Sequence, residues 1–156
     1  MPEQIFAVET KNVASQLVAS IRMKGRYSDC GIGFKKIGRK FGRYLCGNAM
    51  MLYHDSEHRE TDADFEVIMP IKKGESTDEI KVYELAGGRC LSLMHKGPYE
   101  ELSRSYPQIL DYAKDNGIKF LLPSRAVYHK GPGMIFKGNP QKYLTEIQLM
   151  IDESDQ

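Results

Sequence analysis

The chain has no tryptophan, only three cysteines, no excess of either charge and no long apolar run. Each shortage excludes something. A membrane helix needs about 20 consecutive apolar residues, and no stretch approaches that length. The N-terminal "MPEQIFAVETKN" lacks a basic region followed by an apolar one, so no secretory signal is expected. Cys30, Cys46 and Cys90 are odd in number and widely spaced, which fits reduced, buried thiols better than a disulfide framework. A cytoplasmic protein is the expectation. Lys and Arg number 22 against 21 Asp and Glu, a formal net charge of +1. Nucleic-acid-binding domains carry a large basic excess, so direct nucleic-acid binding is not expected, and neither is a membrane partner. No glycine-rich phosphate loop appears, and no cofactor is expected. What the chain does have is 156 residues, 41% hydrophobic and 28% charged. That suits one compact domain, or two small fused ones, with a real core.

The chain says some things twice. Lys24-Gly25-Arg26-Tyr27 and Lys96-Gly97-Pro98-Tyr99 share a Lys-Gly-x-Tyr core. "MMLYHD" (50–55) and "RAVYHK" (125–130) each carry a Tyr-His pair, and "DFEVIMPI" (64–71) matches "LTEIQLMI" (144–151). The offset is 72 residues at Tyr27/Tyr99, 75 at Tyr53/Tyr128 and 80 at Glu66/Glu146. A slowly growing offset is what loop insertions between equivalent elements produce. The expected organisation is therefore a single domain of two repeats, about 4–71 and 79–151, joined by a polar linker at 72–78.

Each half reads as strand, helix, strand, strand. "EIKVYEL" (79–85) alternates, "AGGR" (86–89) supplies turn glycines and "CLSLMHKG" (90–97) follows, which predicts a hairpin. In the first half "IFAVET" and "SQLVASIRMKG" flank a turn expected around Lys11-Asn12. Leu102, Tyr106, Ile109, Leu110 and Ala113 lie on one helical face, with Gly117 as the stop. Pro107 must start that helix or kink it. The first-half helix, 27–41, holds Gly31, Gly33 and Gly38, each costing up to about 1 kcal/mol relative to Ala. A loop, "GPGMIFKGNP" (131–140), joins the closing strands.

The last strand is the most informative. Alternation puts Tyr143, Thr145, Ile147, Leu149 and Ile151 on one face and Leu144, Glu146, Gln148 and Met150 on the other. The second face sets a carboxylate, an amide and a thioether among apolar groups. A carboxylate in such surroundings is costly unless paired, and an organic cation would supply charge and apolar surface together. The bland alternative is a solvent-facing strand edge. Tyr53 and Tyr128 occupy matching places, and aromatic faces attract cations; core or rim packing is the alternative. Met50, Met51, Met69 and Met150 suit either an adaptable pocket or a plain core. "YHDSEH" (53–58) offers His54 and His58 among acids but no aligned ligand set, so no metal site is expected and a solvated acidic loop is the reading. The basic run "KKIGRKFGR" (35–43) reads as a solvated helix face or a contact for phosphate or an acidic protein.

A duplicated strand-helix-strand-strand unit with "HKGPYEEL" before a helix, "YHK" on a strand and a terminal "TEIQL" resembles the GyrI-like small-molecule-binding family, the effector-binding domain of AraC-type and MerR-type regulators. The resemblance covers about residues 4–151. It implies an α+β fold of pseudo-twofold duplicated units, with antiparallel sheets around a central ligand cleft. It also implies capture of lipophilic, often cationic compounds there, with Glu146 as charge partner and Tyr53, Tyr128, Met150, Gln148 and Tyr112 around it. The chain departs from the family in having no Trp, with Tyr112 where Trp is common and Met150 where Pro is usual. With no DNA-binding segment ahead of it, it resembles the stand-alone members. The family also implies two alternatives. One is hydrolysis of reactive cyclopropane-containing compounds, with Glu146 as general base. The other is a protein-interaction role such as DNA gyrase modulation, for which the basic run would be the contact.

Overall fold

The computed structural model describes residues 6–130 and 139–154. Within them eight strands form one antiparallel sheet: β1 (Glu9–Val13), β2 (Gln16–Gly25), β3 (Met50–Tyr53), β4 (Ala63–Pro70), β5 (Lys81–Leu85), β6 (Gly88–Lys96), β7 (Phe120–Lys130) and β8 (Leu144–Ile151). Two helices, α1 (Cys30–Phe41) and α2 (Leu102–Asp115), complete the mixed α/β fold, each led in by a 3-10 turn. The loop expected at 131–140 lies almost wholly outside the described residues.

The strand order is β1-β6-β8-β7-β3-β4-β2-β5. It overturns both expected hairpins. Only Ala14 and Ser15 separate β1 from β2, and only Ala86 and Gly87 separate β5 from β6, yet neither pair is hydrogen-bonded. Instead β1 pairs with β6, and β5 pairs with β2. Lys11 and Asn12, expected in a turn, sit inside β1 opposite Cys90 and Arg89. The first strand of each half thus crosses to the other half. The two crossings pack on each other: the Gly87 N–H donates to the Ser15 Oγ at 3.2 Å. A Cβ at Gly87 would run into the backbone of Val13, Ala14 and Ser15, so only glycine allows this approach. Glycine at the crossing, read as a turn signal, serves close backbone contact here.

The sheet has one face covered by helices. Gly33, Ile37 and Phe41 of α1 repeat every four residues and bury against Ala19, Met51, Phe65 and Val67. Leu102, Ile109 and Ala113 of α2 do the same against Leu91, Leu93, Ile147 and Leu149. Leu110, expected on that face, is 39% exposed. Pro107 lies inside α2 and does not start it. The other face carries no helix, yet Val18, Met50, Leu52, Ile68, Leu85 and Val127 are buried on it. A sheet curled about itself buries such a face without help from a second layer.

Candidate functional site

Strand β8 lies between β6 and β7, so its backbone is hydrogen-bonded on both sides and its side chains are forced to the two faces in alternation. Ile147 and Leu149 go to the helices, as expected. Glu146 and Gln148 go to the helix-free face and are buried, Glu146 with only 1% of its surface exposed.

A buried carboxylate must be satisfied. The Ser92 hydroxyl of β6 donates to Glu146 Oε2 at 2.6 Å, and His129 of β7 donates from Nε2 to Oε1 at 2.7 Å. The Asn48 amide lies 3.3 Å from His129 Nδ1, which then accepts and fixes the tautomer. Lys11, carried in on β1, places its Nζ 2.5 Å from Oε2. Burial pushes the carboxyl up, but Lys11, Ser92, His129 and Gln148 together outweigh it and hold Glu146 down at about 2.

Glu66 of β4 is held in the same manner. Ser20 donates to its Oε2 at 2.5 Å, His54 donates from Nε2 to Oε1 at 2.8 Å, and the Tyr83 hydroxyl of β5 donates to Oε2. Burial again raises the carboxyl, and these donors bring it below its ordinary value. Ser20 and Ser92 are 72 residues apart, as are Lys11 and Tyr83, while His54 and His129 are 75 apart. The matched carboxylates therefore differ in one respect: Glu146 has an ammonium where Glu66 has a phenol.

A cavity of about 320 Å³ opens beside Glu146, bounded by the β1–β2 crossing at Val13, Ala14 and Gln16 and by Met50, Arg125, Val127, His129 and Gln148. A second, of about 300 Å³, lies by the β5–β6 crossing and is lined by Met150, Leu121, Leu122 and Arg125 among others. Both belong in size to the lower end of small-molecule sites, which run from about 300 to 1,000 Å³.

The six residues expected around the ligand are not brought to one place. Glu146 and Gln148 line the first cavity, and Met150 lines the second. Tyr53 and Tyr128 point to the opposite face of the sheet and pack with the α1 core. There their hydroxyls are hydrogen-bonded to each other, and burial lifts Tyr53 to about 12 and Tyr128 higher still, so both stay protonated. Tyr27 and Tyr106 stand edge-on to Tyr53, at 5.4 and 6.2 Å between ring centres, and Tyr99 lies 5.3 Å from Tyr128 and 5.1 Å from Tyr143. Six tyrosines thus gather over the central strands β3 and β7, at the leading ends of both helices. Tyr112 is apart from them, 37% exposed on α2.

His54, considered as a metal ligand, is engaged with Glu66, and Asp55 accepts the Asp64 N–H at 2.8 Å. Among the described residues no three His, Cys, Asp or Glu side chains are grouped to hold a metal, and no helix is long and apolar enough to cross a membrane. Of the thiols, Cys90 is buried and Cys30 partly so, but Cys46 is exposed, against the expectation of three buried ones. Sequence reasoning missed Lys11, Ser92, His129 and Arg125. The repeat offsets pair Ser20 with Ser92 and His54 with His129, and that signal was available.

A family model for the GyrI-like small molecule binding domain matches residues 6–152. No curated protein matches the sequence. The crystal structure of the EcmrR C-terminal domain superposes with a TM-score of 0.85 at 23% identity, covering 96% of this chain and 99% of that one. In the EcmrR–DNA complex the same likeness spans 95% of this chain and 58% of the EcmrR chain. A hydrolase encoded by lin2189 from Listeria innocua gives 0.64 at 15% identity, with 93% and 91% covered. SAV2435 bound to tetraphenylphosphonium gives 0.62 at 12%, with 94% of each chain covered. At these identities the likeness shows the fold.

Proposed function

This chain belongs to the GyrI-like small-molecule-binding domain family, and from that premise we propose that it captures a lipophilic cation on the tyrosine cluster between the leading ends of α1 and α2. The observation that carries this is the gathering of Tyr27, Tyr53, Tyr99, Tyr106, Tyr128 and Tyr143 over β3 and β7. Ring faces attract cations electrostatically and offer apolar area at low entropic cost. Tetraphenylphosphonium, which SAV2435 binds, is the natural probe. The two halves, 4–71 and 79–151 with a linker at 72–78, are read as copies of one duplicated unit. The matched Ser-Glu-His sets support that reading.

Glu146 serves as charge partner only for a ligand that displaces Lys11, whose side chain is 41% exposed and free to swing away. That is the second reading, with Gln148, Met150 and the 320 Å³ cavity beside it. A hydrolytic role fits less well, because a carboxylate held at about 2 is a weak base near neutral pH. A gyrase partner finds no support among the neighbours.

Titration of wild type, Tyr53→Leu, Tyr128→Leu and Glu146→Gln with tetraphenylphosphonium, followed by calorimetry, tests both readings. Saturable binding weakened roughly fivefold by each tyrosine change, from about 1 kcal/mol per cation–ring contact, is expected, with Glu146→Gln unaffected. Loss in Glu146→Gln alone would move the site to the carboxylate. No binding by folded wild type would overturn the cation reading.

A further inference from the structure

The geometry points to a second ligand site, for a small amphipathic carboxylate, at Arg125 on the face of the sheet away from the tyrosines. Arg125 is 7% exposed and stands where the two cavities and the two strand crossings meet, lining both cavities. Its Nη2 donates to the Ala86 carbonyl of the β5–β6 crossing at 2.6 Å, and its Nε is buried with no partner. A guanidinium presents five donors in a plane and stays charged, so it asks for a planar oxyanion.

The charges nearby do not answer it. The first cavity is lined by Lys11, Arg125 and Glu146, and Glu146 is already committed to Lys11. The second is lined by Arg89, Arg125 and Glu153, and Glu153 is paired with Arg89 at 3.4 Å. Each carboxylate has its own cation, and the surplus positive charge is Arg125. A buried, unpaired charge is expensive, and it persists where it is completed by a ligand. The position 75 residues earlier, by the Tyr53/Tyr128 offset, is Met50, so the arginine is a feature of one half alone. Met50, Val13 and Val127 give the first cavity apolar walls beside the guanidinium. Charge and walls together select a carboxylate on a short apolar body over a bare anion.

The test uses the full chain with sodium benzoate as probe, neutral benzamide as its isostere and inorganic phosphate as a bare oxyanion, by calorimetry and by thermal shift. Expected are saturable benzoate binding with a rise in Tm, at least tenfold weaker binding of benzamide, and loss of benzoate binding in Arg125→Gln. Ala14→Leu, which fills the first cavity from its exposed rim and leaves the guanidinium intact, should also weaken benzoate and decides the matter if Arg125→Gln does not fold. Equal binding of benzamide, undiminished binding by folded Arg125→Gln, or no benzoate binding at millimolar concentration would overturn the site. Phosphate competing as well as benzoate would overturn the carboxylate class. Tetraphenylphosphonium titrated into the same samples reads the tyrosine face separately, so either proposal can fail without the other.

Discussion

Replacing Glu146 by Gln should remove a pH-dependent share of the protein's stability. The carboxylate is 1% exposed and held at about 2 against its usual 4.5. At about 1.36 kcal/mol for each tenfold change in proton affinity, that difference is worth about 3 kcal/mol in favour of the charged, folded state. The sign follows from the direction: a carboxyl held low in the folded protein stabilises it at pH values above 4.5, and the contribution fades as pH falls toward 2. Gln keeps the shape and can still meet Ser92 and His129, while Lys11 is half free to return to water. Glu66 is also held low but is present in both proteins, so the difference between them isolates Glu146. Urea unfolding followed by far-UV circular dichroism, between about pH 7 and about pH 2, measures it. The variant should be less stable by about 3 kcal/mol near neutrality, and the two curves should converge in acid. A gap that stays constant across the range would refute the reasoning, because it would mean lost packing and not lost charge.

Lys11→Met leaves Ser92 and His129 on the carboxylate; it should cost about 1–3 kcal/mol near neutrality and move the acid loss of stability to higher pH in the same assay. Gly33→Ala puts a methyl into the Val67 side chain at the α1–sheet contact and should destabilise by about 1–3 kcal/mol, whereas Gly38→Ala, in open space on the same helix, should be neutral or stabilise by up to about 1 kcal/mol; thermal melts separate the two. Cys46 should react with a thiol reagent in the native protein, and Cys90, buried and with its thiol pushed up by burial, only on unfolding; equal rates would contradict the fold around β6.

The sequence by itself determined whatever depends on local period. The alternation along 144–151 assigned Ile147 and Leu149 to one face and Glu146 and Gln148 to the other, because a strand's side chains alternate whatever it pairs with. The spacing of Leu102, Ile109 and Ala113 assigned the buried stripe of α2 for the equivalent helical reason, and the repeated Lys-Gly-x-Tyr, Tyr-His and Glu motifs carried the duplicated order of elements. Tertiary structure alone decided the partners. Two-residue connections after β1 and β5 read as hairpins, but pairing is a choice among distant strands, and here each first strand crosses to the other half. That exchange, which no local pattern records, brings Lys11 to Glu146 and Tyr83 to Glu66. Curling of the sheet then sets the tyrosines on one side, and the carboxylate with Arg125 on the other. Residue type announced chemistry at each position; which side chains share a site depended on a fold whose contacts join residues far apart in the chain.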